Sequence, residues 1–324
     1  MNDNYTEVLT YYDLEVREIR RGRGAWLCGT DRGLKLLREY RGTVKRLGFE
    51  NDVLNQIVSG GDIDTDLYVR NREGNLITVG EDGTRWILKN WYEDRECSLK
   101  DTREVLRAVE KIGELHKALQ QVENKEEWNL GSILQPLPDR EMERHNREMT
   151  RARAFIRKKR KKTELELCIM ESFALFFQQA REAEEGMRKL LSQREIPSCL
   201  CHGDLNQHHI LMCRDRTAVV EFSRMHYGIQ MEDLYHFMRK AMEKHDWDKS
   251  LGMAMLETYS KILPFSQAEK ACLYYLFLYP EKYWKQINFY YNSNKSWLPS
   301  RNVEKLKELE QQQPARMEFL EKIK

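Results

Sequence analysis

Several features that would assign this chain to a familiar class are missing. No apolar run is long enough to span a bilayer, and the N-terminal residues MNDNYTEVLT lack the basic and apolar stretches of a signal peptide. There is no C-x-x-C pair, and seven cysteines, an odd number, disfavour a disulfide framework. With 54 basic and 52 acidic residues the formal net charge is only +2, so no overall field recruits nucleic acid or a membrane surface. We therefore expect a protein made in the cytosol with reduced thiols.

One local excess of charge stands out against this balance. Residues 151–162 read RARAFIRKKRKK, the densest positive run in the chain. Such a run can bind nucleic acid, but acidic residues follow at Glu164, Glu166 and Glu171 and helix-like segments flank it. A solvated helix face is the favoured interpretation. Binding to RNA would require a salt-sensitive affinity for polyanions.

The N-terminal part of the chain has the pattern of an antiparallel sheet with one helix. At 324 residues the chain exceeds what one hydrophobic core usually serves, which predicts two lobes. Extended runs separated by Gly and Asp turns predict strands at 15–20, 25–30, 34–40, 67–70, 76–79 and 85–90. Between them, apolar residues at helical spacing predict a helix over 43–57.

The remainder of the chain is predominantly helical in pattern. Apolar spacing predicts a helix over 100–119, capped by Ser98 or Asp101. Residues 120–150 are polar, with prolines at 136 and 138, and predict a connection. A second amphipathic helix is predicted over 165–191, and the chain beyond Glu232 is predicted to be helical to its end.

The strongest chemical signal is HGDLNQHHIL at residues 202–211, followed by the strand-like AVVEF at 218–222. It resembles the phosphotransferase pattern H-R-D-x-x-x-x-N followed by D-F-G, in which one Asp accepts the proton of the acceptor hydroxyl. Asp204 is accordingly the predicted catalytic base. The Asn and the second Asp of that pattern hold magnesium, and their positions are taken here by His209 and Glu221.

The two altered positions bear directly on metal binding. Mg²⁺ prefers hard oxygen ligands, and an imidazole nitrogen is a poor replacement for an amide oxygen at position 209. Glu221 keeps a carboxylate on a longer side chain, so it is the predicted ligand for one Mg²⁺. Asn206 has an amide, but it stands two residues after Asp204 rather than five.

Candidate nucleotide-binding residues lie in the strand-rich region. The strand around residues 34–38 offers Lys35 and Arg38 to the phosphates of ATP, and alternation places them on opposite faces. Glu50 on the first helix is a candidate ion-pair partner. The segment 86–92, with Lys89 and Trp91, is the predicted hinge that meets adenine. Gly22-Arg23-Gly24 resembles the start of a phosphate-covering loop, although Leu27 replaces its third glycine.

Five motifs, in order along the chain, resemble the CotS family of bacterial spore coat proteins, which is similar to aminoglycoside and choline phosphotransferases. The motifs are WYEDREC at 91–97, IGELH at 112–116, HGD at 202–204, EDLYHF at 232–237 and YPEKYW at 279–284. The resemblance implies an α+β, bilobal protein-kinase-like fold of the aminoglycoside phosphotransferase type. It implies a small antiparallel-sheet N-terminal lobe at 1–92 and a large, mainly helical C-terminal lobe at 93–324, with a catalytic-loop remnant at 201–223.

The same resemblance implies where the protein acts and which residues serve it. By it, Asp204 matches the catalytic Asp, His209 and Glu221 match the metal-binding positions, and Asp233 matches an Asp that supports the catalytic loop. It implies a place in the spore coat, with other coat proteins as partners.

Two functions remain open at this stage. One is a coat protein that keeps a degenerate phosphotransferase site, a pseudokinase, with ATP binding retained. The other is an active ATP-dependent phosphotransferase for a small hydroxylated acceptor such as a sugar, with Asp204 as base and Mg²⁺ on Glu221.

Overall fold

The computed structural model describes residues 5–22, 24–61, 63–93, 95–126, 128, 134–292 and 301–324. Arg23, Asp94 and part of the predicted connection at 120–150 lie outside these ranges. Contacts divide the chain into two compact units, one of residues 1–133 with 200–226 and the other of residues 134–199 with 227–324. The lobe boundary expected at residue 92 concerns a different division and stays a prediction.

The first unit contains the predicted antiparallel sheet. Its strands are β1 (Val16–Gly22), β2 (Ala25–Thr30), β3 (Gly33–Glu39), β5 (Tyr68–Val69), β6 (Thr78–Val79) and β7 (Arg85–Asn90). They pair in the order β1-β2-β3-β7-β5, with β6 also on β7, and every pair is antiparallel. The pattern of short runs and Gly-containing turns therefore predicted this sheet correctly.

One face of the sheet is covered by the N-terminal segment of the chain. The short helix α1 (Tyr5–Leu9) contributes Val8 and Leu9, which pack with Cys28, Leu37 and other buried residues of β2, β3 and β7. Cys28 on β2 and Leu37 on β3 point to this face because side chains alternate along a strand. The alternate side chains of β3, including that of Arg38, point to the other face of the sheet.

Two helices of this unit begin at side-chain caps. Helix α2 (Val44–Ser59) is capped by the hydroxyl of Thr43, which accepts the N–H of Arg46 at 3.1 Å. Helix α3 (Thr102–Gln120) is capped by Asp101, which accepts the N–H of Arg103 at 2.9 Å. Both helices lie where apolar spacing predicted them. Of the two predicted caps for α3, Ser98 and Asp101, the structure has Asp101.

A second sheet joins segments that are far apart in the chain. Its strands are β4 (Asp64–Thr65), β8 (Arg95–Glu96), β10 (Ile210–Met212) and β11 (Thr217–Val219), in the order β4-β11-β10-β8. The β10–β11 hairpin is antiparallel, whereas β4 runs parallel to β11. This sheet places the end of β11, and hence Glu221, beside the segment that follows β4.

The second unit is helical. Its helices are α4 (Pro138–Lys158), α5 (Glu164–Ser192), α6 (Gln230–Lys244), α7 (Lys249–Ile262), α8 (Gln267–Leu278), α9 (Glu281–Asn292) and α10 (Arg301–Ile323). The chain passes between the units within β9 (Cys199–Cys201) and β12 (His226–Gly228). With the sheet of the first unit, these helices confirm the α+β class.

Helix α4 corrects the prediction of a connection over 120–150. Pro138 stands at the first turn of α4, where its missing N–H is not needed and its fixed φ favours the helix. The helix buries Met142, Asn146 and Met149 on one face although most of its residues are polar. The basic run at 151–162 begins in the last turns of α4, consistent with a helix face.

Among the described residues, no helix is both long enough and apolar enough to cross a membrane. All seven cysteines lie in the described part of the chain as reduced thiols, and six of them are buried.

Candidate functional site

The loop that carries Asp204 has a backbone that only glycine adopts easily. It follows β9 and leads through a single 3₁₀ turn, Gln207–His209, into β10. Gly203 has φ +83°, and a Cβ there would lie 2.2 Å from the backbone oxygen of Arg224. Gly203 therefore allows the loop and the segment after Glu221 to pass in direct contact.

The side chain of His202 holds the loop in place through both of its ring nitrogens. Its ring is fully buried, with Nδ1 accepting the N–H of Asp204 at 3.2 Å and Nε2 lying 3.0 Å from the carbonyl oxygen of Val220. A carbonyl only accepts, so the network assigns the proton to Nε2 and a neutral ring to His202. His202 thus ties the loop to the strand that ends at Glu221.

Asp204 presents a carboxylate at the surface of this unit. Its side chain is 40% exposed, and Oδ1 accepts from Asn206 Nδ2 at 3.2 Å. Oδ2 lies 3.7 Å from Nε of Arg224. An oriented and accessible carboxylate is what a base for an acceptor hydroxyl needs. The catalytic role of Asp204 stays a prediction.

His209, at the first altered metal position, is turned into its own loop. Nδ1 lies 2.8 Å from the backbone oxygen of Asp204, so the network places its proton on Nδ1. The nitrogen left with a lone pair is Nε2, a softer ligand than the oxygens that Mg²⁺ prefers. Asn206 does not replace it, because its Oδ1 accepts the N–H of His208 at 2.9 Å and its Nδ2 bonds to Asp204.

Glu221, at the second metal position, is held by its backbone and by its side chain. Its backbone is left-handed, with φ 72°, and its N–H donates to Asp66 Oδ2 at 3.1 Å. Arg38 Nη1 donates to Oε2 at 2.9 Å, and Nη2 donates to Oε1. Burial would raise the pKa of Glu221, but the hydrogen bonds and charge of Arg38 outweigh it and lower that pKa from its usual value. Both carboxylate oxygens of an ionised Glu221 are therefore already engaged.

The structure places the two candidate phosphate-binding cations on opposite faces of β3, as alternation predicted. Arg38 faces Glu221, whereas the ammonium of Lys35 bonds to the backbone oxygen of Arg32 in the turn before β3. Of the two, Arg38 lies beside the catalytic-loop segment. The phosphate-binding role expected for Lys35 or Arg38 stays a prediction.

Lys89 belongs to a buried ion pair that sequence reasoning missed. Its Nζ lies 2.7 Å from Asp66 Oδ2, and the two side chains are 5% and 0% exposed. Asp66 thus accepts from both Lys89 and the backbone of Glu221. Nothing in the local pattern marks this aspartate, because its importance comes from the pairing of β4 with β11. The cofactor-binding role expected for Lys89 stays a prediction.

Glu50 and Trp91, the remaining candidate residues, both have hydrogen-bond partners within this unit. Glu50, expected beside the phosphate-binding cation, bonds instead to Nε of Arg46 and to the hydroxyl of Tyr68, both at 2.7 Å. Arg46 also donates to the carbonyl of Ser223 at 3.0 Å, so it joins α2 to the segment after Glu221. The N–H of Trp91 donates to the carbonyl of Leu34 at 2.9 Å. Contact between Trp91 and a nucleotide stays a prediction.

The residues at the two metal positions do not fit Mg²⁺. His209 supplies an imidazole whose Nδ1 bonds to the backbone of its own loop. Glu221 supplies a carboxylate whose two oxygens accept from the guanidinium of Arg38. Among the described residues, no group of three or more His, Cys, Asp or Glu side chains is arranged to hold a metal ion. A nucleotide is a different case, because Arg38 remains 29% exposed and has N–H groups beyond the two given to Glu221.

Comparisons with known proteins agree with this architecture. The model of a family described as the phosphotransferase enzyme family matches residues 15–265. Among curated proteins, none matches the chain significantly.

Similar solved structures span almost the whole chain. An aminoglycoside phosphotransferase from Alicyclobacillus acidocaldarius has a TM-score of 0.86 at 13% identity and covers 98% of this chain and 94% of that one. A microcompartment-associated aminopropanol kinase has a TM-score of 0.60 at 14% identity, covering 98% and 97%. The amicoumacin kinase hAmiN, in complex with AMP-PNP, Ca²⁺ and Ami, has a TM-score of 0.59 at 14% identity, covering 98% and 96%. The predicted kinase-like aminoglycoside phosphotransferase fold is thereby confirmed.

Proposed function

Because the chain belongs to the phosphotransferase enzyme family, we propose that it is a nucleotide-binding pseudokinase that no longer transfers phosphate and serves in assembly of the spore coat. The observation that carries the loss of transfer is the engagement of Glu221. Its carboxylate oxygens accept from Arg38 and its N–H donates to Asp66. A carboxylate whose charge is already balanced by a guanidinium attracts a second cation less strongly than a free one.

Nucleotide binding is supported by the fold and by Arg38. A solved structure of the same fold contains AMP-PNP. In this chain the guanidinium of Arg38 offers a planar set of donors that suits phosphate oxygens. ATP is the nucleotide that we propose.

Phosphate transfer tests the loss of activity. The purified protein is incubated with [γ-³²P]ATP and Mg²⁺, and both phosphate release and transfer to a panel of aminoalcohols and sugars are followed. We expect no turnover above that of Asp204→Asn. The double variant His209→Asn/Glu221→Asp restores the usual metal ligands, and turnover that arises only in it would support a lapsed enzyme. Turnover in the wild type that Asp204→Asn abolishes would contradict the proposal.

The place in the coat rests on the five motifs that resemble the CotS family, and it has a separate test. A fluorescent fusion expressed in a sporulating host is expected to collect at the surface of the developing spore. Fluorescence that stays diffuse in the mother cell throughout sporulation would contradict a coat protein.

An active phosphotransferase is the second candidate, and Asp204 favours it. The carboxylate is accessible, accepts a hydrogen bond from Asn206 and lies near Arg224. A small hydroxylated acceptor such as a sugar could deliver its proton to this group. Solved structures of the fold include kinases named for aminopropanol and amicoumacin.

A further inference from the structure

Arg38 and Glu221 form a doubly hydrogen-bonded ion pair in the candidate site. Two N–H groups of the guanidinium bond to the two carboxylate oxygens, and both side chains are largely buried, at 29% and 14% exposed. An arginine has five N–H donors, so this pair leaves three that a second acceptor can use. Arg38 can therefore contact another anion while it stays close to Glu221.

Other cationic side chains near Arg38 have partners of their own. Lys89 is paired with Asp66, and the carboxylate of Asp66 also accepts from the backbone of Glu221. Arg46 is paired with Glu50. Lys35 lies on the other face of β3 with its ammonium on the carbonyl of Arg32. Of these cations, Arg38 is the one whose side chain contacts Glu221 directly and has N–H donors to spare.

Nucleotide phosphates need such a cation, because a kinase-like site ordinarily neutralises them with a lysine and with metal ions. In this chain the residues at the metal positions do not offer Mg²⁺ a suitable ligand set, as described above. A guanidinium carries a permanent charge and bonds to two phosphate oxygens at once.

We propose that Arg38 replaces the divalent metal as the counter-ion of the nucleotide phosphates, so that this chain binds ATP without Mg²⁺. Glu221 then acts as an internal anion that competes with the phosphates for Arg38. This inference rests on the proposed nucleotide binding and specifies how it occurs.

Calorimetric titration of the full chain with ATP, ADP and AMP tests the proposal. Each titration is done once with EDTA and once with Mg²⁺. We expect the Kd for ATP to agree within about twofold between the two buffers. We also expect affinity to fall from ATP to ADP to AMP, since Arg38 contacts the terminal phosphates. At least a tenfold gain in ATP affinity on addition of Mg²⁺ would overturn the proposal.

Two substitutions separate the partners of the pair. Glu221→Gln keeps the shape of the side chain and removes the competing charge, so ATP should bind about tenfold more tightly in EDTA. Arg38→Gln should weaken ATP binding at least tenfold in either buffer. A matched control is Arg41→Gln on the exposed side chain three residues away, 90% exposed, which should leave the Kd unchanged.

The variants also give results that would overturn the inference. If Glu221 were a metal ligand, Glu221→Gln would abolish a Mg²⁺-dependent affinity instead of increasing a metal-free one. Loss of binding in Lys35→Gln with Arg38→Gln unaffected would assign the phosphate to the other face of β3. If Arg38→Gln does not fold, Arg38→Gln/Glu221→Gln removes both charges and must still bind ATP at least tenfold more weakly than Glu221→Gln alone.

The proposed function and this inference fail in distinguishable ways. Mg²⁺-dependent ATP binding without phosphate transfer would leave a nucleotide-binding pseudokinase and remove only the role of Arg38. No binding of ATP in either buffer would overturn both.

Discussion

At the scale of single residues, Gly203 is the position where the catalytic loop tolerates least change. Its left-handed φ of +83° and the 2.2 Å approach of a built Cβ to Arg224 O mean that any side chain forces the two segments apart. Such a separation strains the hydrogen bond between His202 Nε2 and the carbonyl oxygen of Val220, which joins the loop to the strand before Glu221.

The first prediction concerns this glycine. Gly203→Ala should destabilise the protein by at least about 2 kcal/mol, since it adds both backbone strain and a clash with backbone. Urea unfolding measures the change. The control is Gly48→Ala inside α2, where a Cβ meets nothing within 4 Å and the gain should be about 0.5–1 kcal/mol. Equal effects of the two substitutions would contradict the account of the loop.

The second prediction concerns the buried pair of Lys89 and Asp66. Lys89→Met should cost about 3–5 kcal/mol, because it leaves the carboxylate of Asp66 buried without its cation. Asp66 is 0% exposed and also accepts from the N–H of Glu221, so we expect the segment at Glu221 to loosen as well. Chemical unfolding gives the energy, and hydrogen exchange at residues 220–223 gives the local effect.

An exposed pair at the end of β3 provides the contrast. Arg41 and Glu39 are 90% and 49% exposed, and Arg41→Met should change stability by less than about 1 kcal/mol. If Lys89→Met costs no more than this control, the buried pair does not support the site.

At the scale of secondary structure, helix α5 depends on the reciprocal hydrogen bonds at its start. The hydroxyl of Thr163 accepts the N–H of Glu166 at 3.3 Å, and the side chain of Glu166 accepts the N–H of Thr163 at 2.8 Å. Glu166 also pairs with Lys159 at 2.7 Å, which joins the end of the basic run to this helix.

The third prediction concerns this capping box. Thr163→Ala should destabilise the protein by about 1 kcal/mol, because one N–H of the first turn loses its acceptor. Thr163→Ser keeps the hydroxyl and should stay within about 0.5 kcal/mol of the wild type. Urea unfolding of both variants makes the comparison, and an equal loss in the two would show that the methyl group, not the cap, is responsible.

The elements that could be predicted from the sequence are those with a strong local signal. Strands β2, β3 and β7 are short extended runs separated by turns that contain Gly and Asp, and α3 and α5 repeat their apolar residues over several turns. Helix α4 was missed because its buried side chains are separated by charged residues and because the prolines at 136 and 138 suggested a loop. The parallel pairing of β4 with β11 joins residues about 150 positions apart, and no local pattern records that.

The candidate site shows the same difference between local sequence signals and long-range contacts. Asp204, His209 and Glu221 could be named as candidates because their spacing along the chain matches that of a phosphotransferase catalytic loop. Asp66 and the partner of Arg38 could not, since both depend on long-range pairing. Alternation along the strand placed Lys35 and Arg38 on opposite faces, and which of the two binds phosphate stays a prediction.

At the scale of the whole molecule, the pH dependence of unfolding depends on a carboxyl of the helical unit. Burial, together with the nearby charges of Glu141, Asp233 and Glu281, raises the pKa of Glu232 to about 8. Its ordinary pKa is 4.5, so folding favours the protonated form. The stabilisation is complete below pH 4.5 and is lost as the pH rises to 8 and beyond.

The fourth prediction follows from that sign. Between pH 5 and pH 9 the contribution of Glu232 to stability should fall by about 2 kcal/mol, since each tenfold change in proton affinity corresponds to about 1.4 kcal/mol and solvent screens a partly exposed carboxyl. Glu232→Gln should remove this fall and be the more stable protein at pH 9. Thermal melts across the range measure it, with the exposed Glu257→Gln as the control that should follow the wild type.

The central claim is that this member of the phosphotransferase family binds a nucleotide without a metal. The measurement that tests it most directly is the thermal melt of the wild-type protein with ATP in EDTA, repeated with Mg²⁺. ATP at a hundred times its Kd should add about 2.7 kcal/mol of stability, and we expect that rise in EDTA with no further increase from Mg²⁺. A rise that requires Mg²⁺, or no rise in either buffer, would contradict the account.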